Sequence, residues 1–190
     1  MFFFYQYFTN IVIKPTVTNL ATGVKITWNR VSNADGYRIY RKAASGDYVL
    51  VKTIKSNTTV SYTDTSAKVT NGTKYTYKVV AYKGTLTSDF MTKSICRLNR
   101  PIITSLKNTS GKKMYVKWGK NNSATGYQVK YVTGSTTKTK TYIGKAGVSK
   151  TISGLTKGKT YKVYVRTYKT ISGTKYYSAW SPVKSVKISK

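Results

Sequence analysis

Over most of the chain apolar residues recur at every second position. Val24, Ile26 and Trp28 alternate with Lys25 and Thr27, Tyr37 and Ile39 flank Arg38, and Tyr75, Tyr77, Val79 and Ala81 keep the same beat. A period of two puts these side chains on one face of extended backbone, which predicts strands with one buried face. Turn-forming clusters separate them at Ser32 to Gly36, Ala44 to Asp47, Asn71-Gly72, Asn121 to Gly126, Val132 to Ser135 and Lys157-Gly158. About seven short strands in every 90 or so residues predict a two-sheet sandwich with few helices.

The pattern occurs twice. Val24-Lys-Ile26-Thr-Trp28 returns as Met114-Tyr-Val116-Lys-Trp118, and Ala34-Asp-Gly36-Tyr37-Arg-Ile39 as Ala124-Thr-Gly126-Tyr127-Gln-Val129, both 90 positions later. Ser88-Asp-Phe90 matches Ser178-Ala-Trp180 at the same spacing, whereas Gly72 to Val79 matches Gly158 to Val165 at 86, so the slippage lies in loops. Two domains of one kind follow, over residues 14–98 and 99–190, joined at Leu98-Asn99-Arg100-Pro101. Residues 1–13 stand apart as an atypical aromatic segment, because six of the first eight are Phe or Tyr. With no basic residue ahead of them and no small-residue cleavage site before Lys14 they make a poor signal peptide. They also fall well short of the roughly 20 apolar residues of a membrane-spanning helix. An extra strand, a degenerate leader and a start placed inside a longer gene remain the readings of this segment.

Composition narrows function. The chain carries 34 Lys+Arg against 4 Asp+Glu and no His, a formal charge of +30. General acid–base catalysis draws on His, carboxylates, Lys, Tyr or Cys of tuned pKa, and this inventory has no His, no Glu and one Cys, so no enzyme and no catalytic residue are expected. Asp35, Asp47, Asp64 and Asp89 are too dispersed to supply a metal site, and no cofactor is implied. Cys96 aligns with Val186 of the second repeat, which predicts a core-facing thiol without a disulfide.

The repeats resemble fibronectin type III domains in the form common in Gram-positive surface or secreted proteins. The likeness rests on a Pro leading into the first strand (Pro15, Pro101), a Trp on the second (Trp28, Trp118) and Gly-Tyr-x-Ile/Val on the third. To these it adds Leu155-x-x-Gly158-x-x-Tyr161-x-Val163-x-Val165 and Ser178-Ala-Trp-Ser181. Val69 stands in the first repeat where the second has Leu155. The resemblance implies all-β, immunoglobulin-like sandwiches of about seven strands each. It also implies a secreted or cell-wall-associated location, and a spacer or accessory module belonging to a longer protein. Trp28 and Trp118 become core residues, and Tyr75 and Tyr161 corner tyrosines bonded to backbone. The Asn-x-Ser/Thr stretches at Asn57, Asn71, Asn108 and Asn121 read as polar turns in a bacterial protein.

Charge is concentrated in the second repeat. Residues 100–190 hold 20 Lys+Arg and no acid, and residues 1–99 hold 14 against 4. Most of the cations are Lys, a hydrated point charge poorly suited to reading bases, so sequence-specific nucleic-acid recognition is not expected. Parity supplies one candidate binding face. If Tyr161, Val163 and Val165 point inward, Lys162, Tyr164, Arg166 and Tyr168 point outward, joined by Gln128, Lys130 and Lys187. Such a face would hold an anionic polymer or glycan by charge and stacking; the alternative is an ordinary solvated sheet surface. The function expected is a non-catalytic spacer or accessory module with weak affinity for anionic wall polymer. A dedicated carbohydrate- or polyanion-binding adhesin and a nonspecific nucleic-acid binder are the alternatives.

Overall fold

A computed structural model of the chain describes Phe8 and residues 10–189. Inter-residue contacts divide the chain between Arg97 and Leu98 into two units. The first contains β1 (Val12–Ile13), β2 (Thr16–Asn19), β3 (Val24–Thr27), β4 (Gly36–Ala43), β5 (Val49–Ile54), β6 (Ser61–Asp64), β7 (Lys74–Lys83), β8 (Leu86–Thr87), β9 (Asp89–Phe90) and β10 (Thr92–Cys96). The second contains β11 (Ile103–Thr109), β12 (Lys113–Trp118), β13 (Gly126–Thr133), β14 (Thr136–Ile143), β15 (Ser149–Ile152), β16 (Thr160–Ile171), β17 (Thr174–Tyr177) and β18 (Lys184–Lys187).

Each unit packs a smaller sheet on a larger one. The smaller sheets run β2-β3-β6 and β11-β12-β15; the larger run β10-β7-β4-β5 and β14-β13-β16-β17, with β18 also on β16. With β8 on β7 and β18 on β16 counted, each unit is an all-β immunoglobulin-like sandwich of a three-stranded and a five-stranded sheet, the architecture of a fibronectin type III domain. The alternating residues close the cores: Val24, Ile26, Tyr37, Ile39, Tyr77 and Val79 in the first unit, and Met114, Val116, Tyr127, Val129, Val163 and Val165 in the second. Trp28 meets Tyr37 edge to face at 5.2 Å, and Trp118 meets Tyr127 at 5.5 Å. Phe8 and Ile13 join the first core, and β1 lies parallel to β9; the aromatics Phe2 to Tyr7 fall outside the described residues.

One difference between the cores is chemical. In the first unit Asp64, fully buried, accepts hydrogen bonds from Arg41 Nη1 (2.6 Å), Tyr77 OH (3.0 Å) and the Ser66 amide (3.1 Å). Burial, and then the charge of Asp64, push the Tyr77 phenol far above its ordinary range. Val24 pairs with Asp64 as Met114 pairs with Ile152, and Arg41 with Tyr77 as Tyr131 with Val163. The second unit therefore builds the same place from Tyr131, Ile152 and Val163.

Candidate functional site

On the outer face of the larger sheet of the second unit, register sets Lys130 beside Tyr164, Gln128 beside Arg166 and Gly126 beside Tyr168. Arg166 donates from Nε and Nη2 to Gln128 Oε1 (2.9 and 2.7 Å), which ties the guanidinium to the neighbouring strand. Its carbon lies 3.9 Å from the centre of the Tyr177 ring and 4.4 Å from that of Trp180. Lys130 Nζ stands 4.6 Å from Trp180 and 4.4 Å from Tyr164. The result is a continuous stack: Tyr177, Arg166, Trp180, Lys130, Tyr164. Quadrupolar attraction makes each contact favourable, and burial lowers the pKa of Arg166 while the neighbouring Tyr177 opposes that shift.

Trp180 lies beyond the last residue of β17, and two serines bring it there. The Thr167 amide donates to Ser178 Oγ (3.0 Å) and the Val165 amide to Ser181 Oγ (3.0 Å). The Ser178 and Ser181 amides donate in turn to the Thr167 and Val165 carbonyls (2.9 and 2.7 Å). Trp180 and Tyr177 were absent from the expected face because strand parity says nothing about a residue carried in by a side-chain-pinned loop. The Ser-Ala-Trp-Ser sequence is the signal that could have placed Trp180.

Tyr168 corrects the parity expectation. Its position faces outward, yet the residue is only 2% exposed. The ring lies across Gly126, its direct partner on β13, and beside Tyr177 at 6.2 Å. A Cβ on Gly126 would stand 2.7 Å from the Tyr168 hydroxyl, so the glycine supplies the floor on which the ring rests. Burial pushes the Tyr168 phenol up, with Tyr177 adding to the shift. Lys162 and Lys187 are exposed and pair with Ser185 and Thr160, at the opposite end of β16 from Arg166. The structure thus gathers Lys130, Tyr164 and Arg166, leaves Lys162 and Lys187 at the far end, and removes Tyr168 from solvent.

The first unit carries the same device with its partners exchanged. The cross-strand pair Lys130–Tyr164 corresponds to Tyr40–Lys78, and the pair Gln128–Arg166 to Arg38–Val80, so the arginine moves from β16 to β4. Lys78 Nζ lies 5.0, 4.6 and 4.2 Å from the rings of Tyr40, Tyr48 and Phe90, and Arg38 covers Tyr82 at 4.6 Å. What recurs is the contact between cation and ring, with the strand that supplies each reversed. Chemically these faces are satisfied from within: the aromatic surfaces a sugar would stack on already carry the protein's own cations.

The remaining residues singled out from sequence occupy packing or backbone-bonding positions. Trp28 and Trp118 are buried. Tyr75 OH donates to the Lys68 carbonyl (2.6 Å) and accepts from the Thr70 amide, and Tyr161 OH accepts from the Thr156 amide (3.0 Å). Gly158, at φ +83°, turns the chain between Leu155 and Tyr161 in a region that side-chain-bearing residues avoid. Asn57 and Asn121 donate from Nδ2 to the Ser32 and Asn99 carbonyls, and Asn108 donates from Nδ2 to the Ser189 hydroxyl. Cys96 is buried, and among the described residues no three His, Cys, Asp or Glu side chains converge to hold a metal.

No protein-family model matches the chain, and no curated protein matches it. Among solved structures it is similar to the FN1–FN3 domains of chicken CNTN1, with 18% identity over 96% of this chain and 65% of that one and a TM-score of 0.43. It is also similar to a two-domain fibronectin type III segment of chicken tenascin, with 23% identity over 92% of this chain and 98% of that one and a TM-score of 0.43. The chain spans somewhat less than two thirds of the length of the CNTN1 segment.

Proposed function

We propose that the chain is a tandem fibronectin type III module, a non-catalytic spacer or accessory segment of a larger bacterial secreted or cell-surface protein. In this reading its second unit holds the module against anionic cell-wall polymer. The observation that carries the reading is the charge of that unit: from Leu98 onward there are 20 Lys+Arg and no Asp or Glu side chain, against 14 and 4 before it. No cation of the second unit has an internal carboxylate side chain to neutralise it. A polyanion that displaces the small counterions gains their release, a gain that shrinks as salt rises. Of the face expected from sequence, Lys162 and Lys187 contribute charge, whereas Lys130, Tyr164 and Arg166 are occupied with each other.

Sedimentation of the full chain with purified wall polymer over a salt series tests this. Binding at about 0.15 M salt, with a steep decline above it, is the expected result. No binding at that ionic strength overturns the reading.

A further inference from the structure

The smaller sheet of the second unit presents a face that the stack described above leaves free. On the outer side of β11, β12 and β15, register forms a grid: Ser105, Lys117 and Ser149 in one row, Lys107, Tyr115 and Thr151 in the next, Thr109 and Lys113 in the third. The inward neighbours Met114, Val116 and Ile152 are fully buried, which fixes the parity. Tyr115 occupies the centre and is half-buried; Lys107, Lys113 and Lys117 around it are exposed. Among the described residues no cation lies over the Tyr115 ring, and none of the three lysines is in an ion pair.

The equivalent face of the first unit is an internal control. There the rows are Thr16, Thr27 and Ser61, then Thr18, Lys25 and Thr63. The hydroxyls of Thr16 and Thr27 bond each other at 2.6 Å, and Lys25 is the one charge in those rows. By register Lys117 replaces Thr27, Lys107 replaces Thr18 and Tyr115 replaces Lys25. Sheet stability does not call for the two lysines, because Thr suits a strand at least as well as Lys; Tyr for Lys favours the strand in itself, so it is the added charge around the ring that strand propensity leaves unexplained.

We infer that this outer face, with Tyr115 at its centre and Lys107, Lys113 and Lys117 around it, is the binding face for a polyanionic sugar chain. The inference rests on the polyanion reading above and assigns it a place. Lys113 and Lys117 are four positions apart, about 13 Å of strand, with Tyr115 midway and Lys107 on the adjacent strand about 5 Å to the side. A chain laid along β12 meets charge, ring and charge in turn. The Tyr ring offers an apolar body and a polar tip to a sugar, and the hydroxyls of Ser105, Ser149 and Thr151 can donate to or accept from sugar hydroxyls. Nucleic acid fits less well: the face has no Arg for bidentate contacts and one ring where successive bases need several.

The test titrates the full chain with dextran sulfate, taking uncharged dextran and oligothymidylate as comparisons. Variant Lys107→Gln/Lys117→Gln is set against Lys138→Gln/Lys140→Gln, an equal charge change on exposed β14 of the other sheet. The first pair is expected to weaken dextran sulfate binding by more than about tenfold and the second by less than about threefold, a contrast that diffuse charge alone cannot produce. Tyr115→Thr should weaken it by about three- to tenfold without altering the salt slope, because stacking releases no counterion. Amide shifts in the unaltered chain should concentrate on β11, β12 and β15. Equal losses from the two lysine pairs, or amide shifts spread over both sheets, overturn this face and leave the polyanion reading intact. No binding of dextran sulfate by the unaltered chain overturns the polyanion reading itself. Oligothymidylate binding as tightly, with the same variant losses, overturns the choice of a sugar chain.

Discussion

Replacing Asp64 with Ala should cost the first unit about 3 to 5 kcal/mol, the range for removing one partner of a buried ion pair. The size follows from what is stranded. The Arg41 side chain is 7% exposed and its ion-pair partner is Asp64 at 2.6 Å, so its charge would remain in the core without a counter-charge, and the Tyr77 hydroxyl would lose its acceptor. Against a typical total of about 5 to 15 kcal/mol this is about a fifth of the stability or more, and it would lower the melting temperature by more than about 12 °C. The second unit supplies the complementary variant. Arg41→Tyr with Asp64→Ile and Tyr77→Val installs its apolar set at the same register positions. Exchange of a buried ionic group for well-packed apolar residues is commonly neutral to about 4 kcal/mol stabilising, so the triple variant should be at least as stable as the original. Native-state hydrogen exchange of β3, β4 and β7 amides over a urea series reads both changes within the first unit. A loss under about 1 kcal/mol for Asp64→Ala, or a triple variant as unstable as the single one, would refute the reasoning.

Three further outcomes can be measured. Exchanging Lys130→Tyr with Tyr164→Lys should leave stability within about 1 kcal/mol while Trp180→Ala costs about 1 to 2 kcal/mol, since the cation–ring contact matters and its direction does not; urea midpoints decide, and an exchange as costly as the Trp loss contradicts the interpretation. Gly126→Ala should destabilise by about 1 to 3 kcal/mol, because its Cβ would strike the Tyr142 carbonyl and the Tyr168 ring; a melting curve within about 2 °C of the original argues against that crowding. At high pH the signs are set by Tyr77, Tyr127, Tyr131, Tyr142 and Tyr168, all raised above the ordinary 10.0, chiefly by burial. A folded pKa above the unfolded one favours the neutral phenol, so this contribution is complete below about pH 10 and is lost as pH rises through the folded values. Absorbance at 295 nm should show a late class of tyrosines ionising together with loss of circular dichroism, and a single class ionising in a folded chain counts against it.

Strand identity and inward parity were legible in the sequence because a pleated, one-sided surface imposes a period of two, and β16 shows it from Tyr161 to Arg166. Parity was insufficient where contacts are made across the sheet. Tyr168 needs Gly126 opposite it, and that pairing is fixed by register between residues 42 positions apart, which local alternation does not encode. Trp180 reaches the face through serine bonds to β16 amides. In sequence Asp64 is only one of four dispersed acids and nothing marks Arg41 as its partner; only folding brings β4 and β6 together across the sandwich. The free face of β11, β12 and β15 was legible in principle, since Lys113, Tyr115 and Lys117 alternate with Met114 and Val116, but their grid with Lys107 exists only after pairing.

The absence of carboxylate and imidazole side chains after Leu98 makes that unit a proton-silent partner. From about pH 3 to about pH 8 none of its side chains has an ordinary reason to gain or lose a proton. By linkage, whatever pH dependence a complex with this unit displays in that window belongs to the ligand. A phosphodiester or sulfate chain would bind with a flat profile, whereas a uronic-acid chain would let go as its carboxyl groups protonate near pH 4. A simple pH series therefore works as a chemical assay of the unknown anion, with the protein serving as the fixed electrode.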